Sequence, residues 1–381
     1  MEEKIVCPKC GNKNPKYFGY LNGKAYCRRC ITFKGDDIEY KAKRKEKITY
    51  KLKFELSDRQ KEISKDTLAN YKNGVNTLIY AVTGAGKTEM IYETIAYVLS
   101  NGKTVGFAIP RKDVVIELLP RFKDAFPNRK VIAIFGGHHQ ELEGDIILLT
   151  THQLYRYKNY FDLLIVDEID AFPYQNNELL ESFFCKSLRT NYIYMSATPS
   201  EKIKKLFTSK GYSILTLFSR FHNNQLPVPK VKKFPDTLQY FLVIKFLKYY
   251  EKHKKRVLIF VPTINLSKQV FNYLKLFIKK LDYVNSKRMS KNIILDNFRN
   301  KKLMFLVTTS ILERGITIDD LQVIVLFANH VVYSSQTLIQ IAGRVGRNIN
   351  HPMGDVYFLT NEITDDIKYA VKEIVFCNEH M

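Results

Sequence analysis

The stretch AVTGAGKTE, Ala81 to Glu89, limits what this chain can fold into more than any other. A short β-type run, Thr77 to Tyr80, leads into it. Apolar residues at Met90, Ile91, Ile95, Ala96 and Val98 follow with a helical spacing. A glycine-bearing loop between a strand and a helix curls so that its N–H groups point inward, which makes a cradle for phosphate oxygens. Thr83, Gly84, Ala85 and Gly86 would form that cradle, with Glu89 closing the nucleotide-binding set. Lys87 supplies a point charge for the β- and γ-phosphates, Thr88 a hydroxyl for Mg²⁺, and the helix N-terminus a favourable dipole. The general pattern begins with glycine, where this chain has Ala81.

Around that loop, short apolar runs alternate with helical stretches. Ser57 can cap a helix carrying Gln60, Ile63 and Leu68, which ends near Asn73-Gly74. Strands are expected at Thr104 to Pro110, Val131 to Phe135, Asp145 to Thr151, Phe161 to Asp170 and Asn191 to Pro199. Continuous β-branched runs separated by helices indicate a parallel sheet covered on both faces, with ligands at the carboxyl ends of its strands. FDLLIVDEID buries Leu163 to Val166 and delivers Asp167 and Glu168 to such an end. In phosphate-loop enzymes the first of two such acids helps to hold Mg²⁺, and its neighbour can activate water. The segment His222 to Asp236 carries Pro227, Pro229 and Pro235, lacks an apolar period and reads as an interdomain linker. Beyond it the alternation resumes at Arg256 to Thr263, Leu303 to Ser310, Val323 to Ala328 and Asp355 to Thr360, without a second GKT loop. The expected fold is α/β, with two parallel-sheet domains.

Four of the six cysteines, Cys7, Cys10, Cys27 and Cys30, fall in the first thirty residues as C-x₂-C-x₁₆-C-x₂-C. Each CxxC turns two sulfurs toward one tetrahedral ion, and four thiolates close a structural Zn²⁺ site with no open position. Two disulfides are the competing reading; the absence of a signal-peptide core in MEEKIVCPKC disfavours it. Gly11 and Gly23 suit zinc-knuckle turns, and Tyr17, Phe18, Tyr20, Tyr26, Arg28 and Arg29 give the module an aromatic and basic surface. KAKRKEK, Lys41 to Lys47, reads as a solvated tether, and Cys185 and Cys377 as ordinary thiols.

With both halves in view, the order of short strings resembles superfamily 2 helicases and translocases. AVTGAGKTE is similar to motif I, AIPRK to Ia, TTHQL to Ib, DEID to II, SATP to III, FVPT to IV, TTSILERGITI to V and QIAGRVGR to VI. The resemblance implies two RecA-like domains with ATP in the cleft between them. It implies that Gln60 contacts adenine, Lys87 and Thr88 bind phosphate and Mg²⁺, Asp167 supports the Mg²⁺ and Glu168 orients the hydrolytic water. Gln340, Arg344 and Arg347 would reach the phosphates from the second domain, the arginines neutralising charge on the transferred phosphoryl group. Ser196 and Thr198 would couple nucleotide state to domain motion. Pro110, Arg111, Thr151, Thr263 and Thr308 would hold a single strand through phosphate and sugar, contacts that carry no sequence information. More narrowly, a four-cysteine module ahead of AVTGAGKTEMIY and DEIDAFPY resembles the ComFA competence ATPases of Gram-positive bacteria. That resemblance implies a cytoplasmic motor, peripheral at the inner face of the membrane beside a DNA-uptake channel. Its implied partners are single-stranded DNA and a ComFC-like protein of phosphoribosyltransferase fold. The corresponding organisation is a zinc module and basic linker over 1–48, a first RecA-like domain over 49–222 and a second over 223–381.

Composition bears on the partner. A formal net charge of +22 favours a polyanion, while 45% hydrophobic residues with 25 Phe and 24 Tyr suffice for buried cores and argue against a disordered chain. No apolar run approaches the ~20 residues a membrane helix needs. Translocation on single-stranded DNA is expected over duplex unwinding, because nothing outside the motor strings looks like a strand-separating wedge. An RNA or replication-restart helicase is the alternative within the enzyme class. An ATP-gated DNA-binding adaptor recruiting partners through the zinc module is the alternative outside it, disfavoured by the complete Lys87, Asp167, Glu168, Arg344 and Arg347 set.

Overall fold

The computed structural model describes residues 5–35, 37–138, 140–170, 174, 177–309 and 318–381. Ala171 to Pro173 of DEIDAFPY and Ser310 to Thr317 of TTSILERGITI lie outside the described residues. The chain divides into two bodies. The first holds 1–81 and 86–216, and the second holds 82–85 and 217–381.

The first body opens with a hairpin, β1 (Phe18–Leu21) and β2 (Lys24–Cys27), joined by Asn22 and Gly23 at φ 50° and 73°. Two consecutive left-handed residues are what a two-residue hairpin turn requires, so Gly23 serves this turn and not a zinc knuckle. Gly11, at φ 64°, does close the knuckle, donating from its N–H to Cys7 O at 2.8 Å. A two-residue strand β3 (Ile38–Glu39) follows. Helix α1 (Asp58–Lys72) starts on a reciprocal cap, in which Ser57 Oγ accepts from Gln60 N and Gln60 Oε1 accepts from Ser57 N. Then come β4 (Thr77–Ala81), α2 (Lys87–Met90), α3 (Tyr92–Ser100), β5 (Val105–Ile109), α4 (Lys112–Ala125), β6 (Val131–Ile134), β7 (Ile146–Thr150) and a 3-10 turn over Thr151–Arg156. The rest is β8 (Tyr157–Lys158), β9 (Phe161–Asp167), α5 (Glu178–Ser187), β10 (Leu188–Ser196), α6 (Glu201–Ser209) and β11 (Ser213–Leu217). Seven strands form one sheet in the order β11-β4-β10-β9-β5-β7-β6. The pairs β4–β10, β10–β9, β9–β5, β5–β7 and β7–β6 are all parallel. Every residue of β4, β5, β6 and β7 is buried, as unbroken apolar strands in a two-face-covered sheet must be.

The second body begins with β12 (Lys230–Lys233), α7 (Asp236–Lys252), β13 (Arg256–Phe260), α8 (Ile264–Leu274) and β14 (Leu281–Val284). It continues with α9 (Lys291–Arg299), β15 (Phe305–Thr308), β16 (Leu321–Val325), α10 (Ser335–Ala342), β17 (Val356–Thr360) and α11 (Asp365–Glu379). Its sheet runs β12-β17-β16-β13-β15-β14, parallel at each pairing. Both sheets are RecA-like, as expected.

Two segments expected to be tethers are built into the bodies. Lys41 and Lys43 pair with Glu143 and Asp145, Glu46 N donates to Ser100 O at 3.2 Å, and Glu46 pairs with Arg129. The run straps α3 to β7 because its cations meet acids that lie about a hundred residues away in sequence. The proline-rich stretch contains edge strand β12, which fits an edge because Pro227, Pro229 and Pro235 flank it without interrupting it.

Candidate functional site

The phosphate-loop string sits between β4 and α2 as its pattern requires. Gly84 and Gly86 have φ 84° and 74°, a region closed to most side-chain-bearing residues. Ala81 ends β4 inside the sheet, so no glycine is needed there. Lys87 Nζ donates to Ala81 O at 3.1 Å, which holds the ammonium over the loop. A Cβ on Gly86 would come 2.6 Å from Gln60 Nε2, so the capped start of α1 holds the Gln60 amide against the loop. Glu89 is only 8% exposed and its carboxylate is engaged by Arg121 of α4, a partner the sequence did not suggest.

Sheet order then assembles the acids. β10 lies between β4 and β9, with Met195 level with both Ile79 and Asp167. Asp167 therefore ends its strand two positions from the strand that launches the loop, about 10 Å away at the usual strand spacing. Glu168 follows at φ 56°, and its N–H donates to Asp167 Oδ1 at 2.9 Å. The second acid of the pair is thus held left-handed, a conformation that costs a non-glycine residue of the order of 1 kcal/mol. Thr88, 9% exposed in the first turn of α2, and Asp167 offer the hydroxyl and carboxylate oxygens that Mg²⁺ prefers.

Ser196 ends β10, and Ser196 Oγ donates to Asp170 Oδ1 at 2.7 Å while the Thr198 hydroxyl donates to Asp170 Oδ2. Thr198 N also donates to Ser196 Oγ at 2.9 Å. Asp170, 5% exposed, thus receives both hydroxyls expected to act as the coupling pair. Sequence reasoning stopped at Asp167 and Glu168; the fourth letter of DEID was the available signal.

The expected strand contacts divide. Pro110 and Arg111 follow β5, and Arg111 is half-buried. Thr263 is exposed and caps α8, accepting from Leu266 N. Thr151 and Thr308 are 0% exposed, so neither side chain presents a surface that a strand could touch. Each lies at the carboxyl end of a buried strand and faces the core. A cavity of about 570 Å³ opens beside Thr263, lined by Lys268, Gln269, Asn272, Asn285, Lys287 and Arg288 among others.

In the second body Gln340 lies in the last turn of α10 and is 6% exposed, Arg344 is 2% exposed, and Arg347 Nε donates to Gly343 O at 3.0 Å. A Cβ on Gly343 would meet Thr83 Oγ1 at 2.1 Å, an approach only glycine permits; residues 82–85 belong to this body. Arg220, absent from the sequence reading, holds the loop after α10. It is 1% exposed and donates to Val345 O and Gly346 O at 2.7 Å and to Gly343 O at 3.2 Å. Burial, with the charge of Arg347 second, pulls its pKa down to about 9.

The four N-terminal cysteines are all buried, with their sulfurs within 4.8 Å of one another. Cys7 and Cys30 sulfurs are 3.6 Å apart and Cys10 and Cys27 sulfurs 3.7 Å. Tetrahedral Zn–S bonds of about 2.3 Å place sulfurs roughly 3.8 Å apart, whereas a disulfide needs ~2.05 Å, so the cage fits zinc and not two cystines. Asn12 Nδ2 lies 3.8 Å from Cys27 Sγ, an outer donor suited to a thiolate. Burial pushes the Cys10 thiol up to about 11 and raises the Cys30 thiol as well, whereas at the Cys7 thiol the opposing effect of burial is outweighed by hydrogen bonds from the Cys10 and Lys9 backbone, which lower it. The same cysteines belong to the core of the first body. Phe33 packs on Tyr155, Phe183 and His152, and β3 pairs with β8.

Comparison with known proteins follows this geometry. Residues 53–201 match the family described as type III restriction enzyme, res subunit, and residues 236–349 match the helicase conserved C-terminal domain. The chain is 34% identical to competence protein ComFA of Streptococcus pneumoniae over 99% of its own length and 91% of that protein. It is 31% identical to ComFA of Bacillus subtilis, over 99% and 86%. Among solved structures, S. cerevisiae Dbp5 bound to RNA and ADP BeF3 superposes with a TM-score of 0.63 at 15% identity, covering 86% of this chain and 92% of that one. That likeness concerns the fold.

Proposed function

The chain belongs to the ComFA family of superfamily 2 helicases, ATP-dependent enzymes of competence, and on that premise we propose that it is a single-stranded DNA translocase driving DNA uptake. The observation that carries this reading is the order β4-β10-β9, which sets the phosphate loop, the Ser196–Thr198 pair and the Asp167–Glu168 pair on neighbouring strand ends.

In this reading Gln60 recognises adenine, and residues 83–86 with Lys87 hold the phosphates. Thr88 and Asp167 would hold Mg²⁺, which would supply charge neutralisation to the phosphates. Glu168 orients the attacking water. Gln340, Arg344 and Arg347 complete the site from the second RecA-like domain, and the arginines stabilise the transferred group. Asp170 transmits the nucleotide state through Ser196 and Thr198. Arg111, Thr263 and the basic cavity beside Thr263 hold the strand backbone, and Thr151 and Thr308 support it through the main chain. Zn²⁺ on Cys7, Cys10, Cys27 and Cys30 is structural. A ComFC-like partner and a membrane channel would receive the motor at the cytoplasmic face; no helix among the described residues is long and apolar enough to cross a membrane.

ATP turnover measured with no polymer, single-stranded DNA, duplex DNA and RNA at one salt concentration tests this. Stimulation by single-stranded DNA above the other three is expected, and Lys87→Ala should abolish turnover with the fold retained. Equal stimulation by RNA would redirect the reading to an RNA helicase. No turnover with any polymer would favour an adaptor.

A further inference from the structure

The cysteine module has an unusual surface. Residues 5–35 contain Lys9, Lys13, Lys16, Lys24, Arg28, Arg29 and Lys34 and no Asp or Glu. Lys9 and Arg29 are committed to the fold, through Gly35 O at 2.9 Å and Glu178 at 2.7 Å. Lys13, Lys16, Lys24, Arg28 and Lys34 are exposed.

Aromatic rings lie among these cations. Tyr20 on β1 is 66% exposed, but it pairs with Ala25 and so points to the opposite face of the hairpin from Tyr26. Tyr17 has Lys16 Nζ and the Arg29 guanidinium each 5.8 Å from its ring centre. Tyr26 on β2 lies flat across Gly19, where a Cβ would approach its ring to 2.5 Å. The ring therefore rests on backbone. Interleaved aromatics and cations are what a nucleic-acid strand needs, since every base has a face to stack and every nucleotide a charge to neutralise.

The module also cannot swing freely. Tyr155 in the 3-10 turn that begins at Thr151 donates to Lys34 O at 3.0 Å, and Lys9 Nζ sits 4.9 Å above the Tyr155 ring. Phe33 stacks on His152 at 6.4 Å, and Lys186 pairs with Asp37 at 2.6 Å. The turn bearing TTHQL and the hairpin thus belong to one body, in which a strand held by the hairpin is held relative to the motor.

We propose that the β1–β2 hairpin face carrying Lys24 and Tyr26 is a sequence-independent grip for a single nucleic-acid strand, made by those two residues with Lys16, Tyr17 and Arg28 at its base. It rests on the reading of the chain as a single-strand motor and adds a second contact surface to it. The lack of acids favours a polyanion over a protein partner, which ordinarily meets a surface of mixed charge.

The full-length protein carrying Lys16→Gln, Lys24→Gln and Arg28→Gln together is titrated with a fluorescent oligo-dT across a salt series. A second variant carries Tyr26→Leu. Each neutralised phosphate contact contributes about 0.7 to the slope of log affinity against log salt for a single strand, so the triple variant should lose about 2 from that slope. Tyr26→Leu should weaken binding about tenfold with the slope unchanged, because stacking is not ionic. Bound zinc and polymer-free ATP turnover should match wild type in both. Wild-type slope and affinity in both variants would overturn the grip and leave the motor reading standing. Failure of the wild-type protein to bind or respond to single strands would overturn the motor reading itself, and the grip with it.

Discussion

Arg220→Met removes a guanidinium from a loop of carbonyls and leaves a chain of similar length. Among the described residues no carboxylate pairs with Arg220; its Nη atoms serve Gly343, Val345 and Gly346, and its Nε is buried without a partner. Three hydrogen bonds from a charged donor, each worth about 1.5–3 kcal/mol, are offset by the cost of burying the charge. A net destabilisation of about 3 kcal/mol is expected, in line with other losses of buried networks. The larger effect should be on rate. The carbonyl of Gly343 accepts from both Arg220 and Arg347 Nε, so the loop that Arg220 holds also sets the base of Arg347. Displacing a catalytic group by about 1 Å can cost ~10²-fold. Stopped-flow binding of a fluorescent ATP analogue should stay within a fewfold of wild type, while DNA-stimulated kcat falls about 10²-fold. Arg220→Lys should rescue poorly, since one ammonium cannot reach three diverging carbonyls in the geometry of a planar fork. A kcat within twofold of wild type alongside a lowered Tm would refute the positioning role and reduce Arg220 to a structural prop.

Other expectations concern separate parts of the molecule. Asp170→Asn keeps one acceptor for Ser196 and Thr198 but loses the charge, so ATP binding should survive while stimulation of turnover by DNA drops at least tenfold; unchanged stimulation would remove Asp170 from the coupling path. If the four-thiolate cage holds zinc, Cys10→Ser should release it on metal analysis and raise hydrogen exchange across residues 5–35, with basal turnover retained. Retention of zinc would refute the four-thiolate cage. His152, stacked on Phe33, has its pKa lowered below 6.5 by burial, so its neutral form stabilises the fold fully above pH 6.5 and that contribution is lost as pH falls through the lowered value. Tm followed from neutrality to about pH 5 should drop less in His152→Gln than in wild type; equal slopes would exclude this ring as the titrating group.

Local chemistry carried much of this protein in its sequence. Glycine at 84 and 86, the Ser57–Gln60 cap and the unbroken apolar strands follow from backbone sterics, reciprocal hydrogen bonds and two-face burial, all of which act over a few residues. The cysteine spacing likewise announced a cage, because each CxxC positions its own two sulfurs. Long-range placement decided the rest. Nothing in LFSRFHNN marks Arg220 as the holder of a loop some 125 residues later, nor KAKRKEK as a strap onto Glu143 and Asp145, since an exposed cation and a paired one read alike until the fold supplies the acceptor. Thr151 and Thr308 were read as contacts to a strand's phosphates and sugars, but the fold buries both side chains. Asp170 became a hub only because β10 lies beside β9 and brings Ser196 to it. Motifs specify which groups a short segment can offer; the order of strands in the sheet determines which of those groups meet.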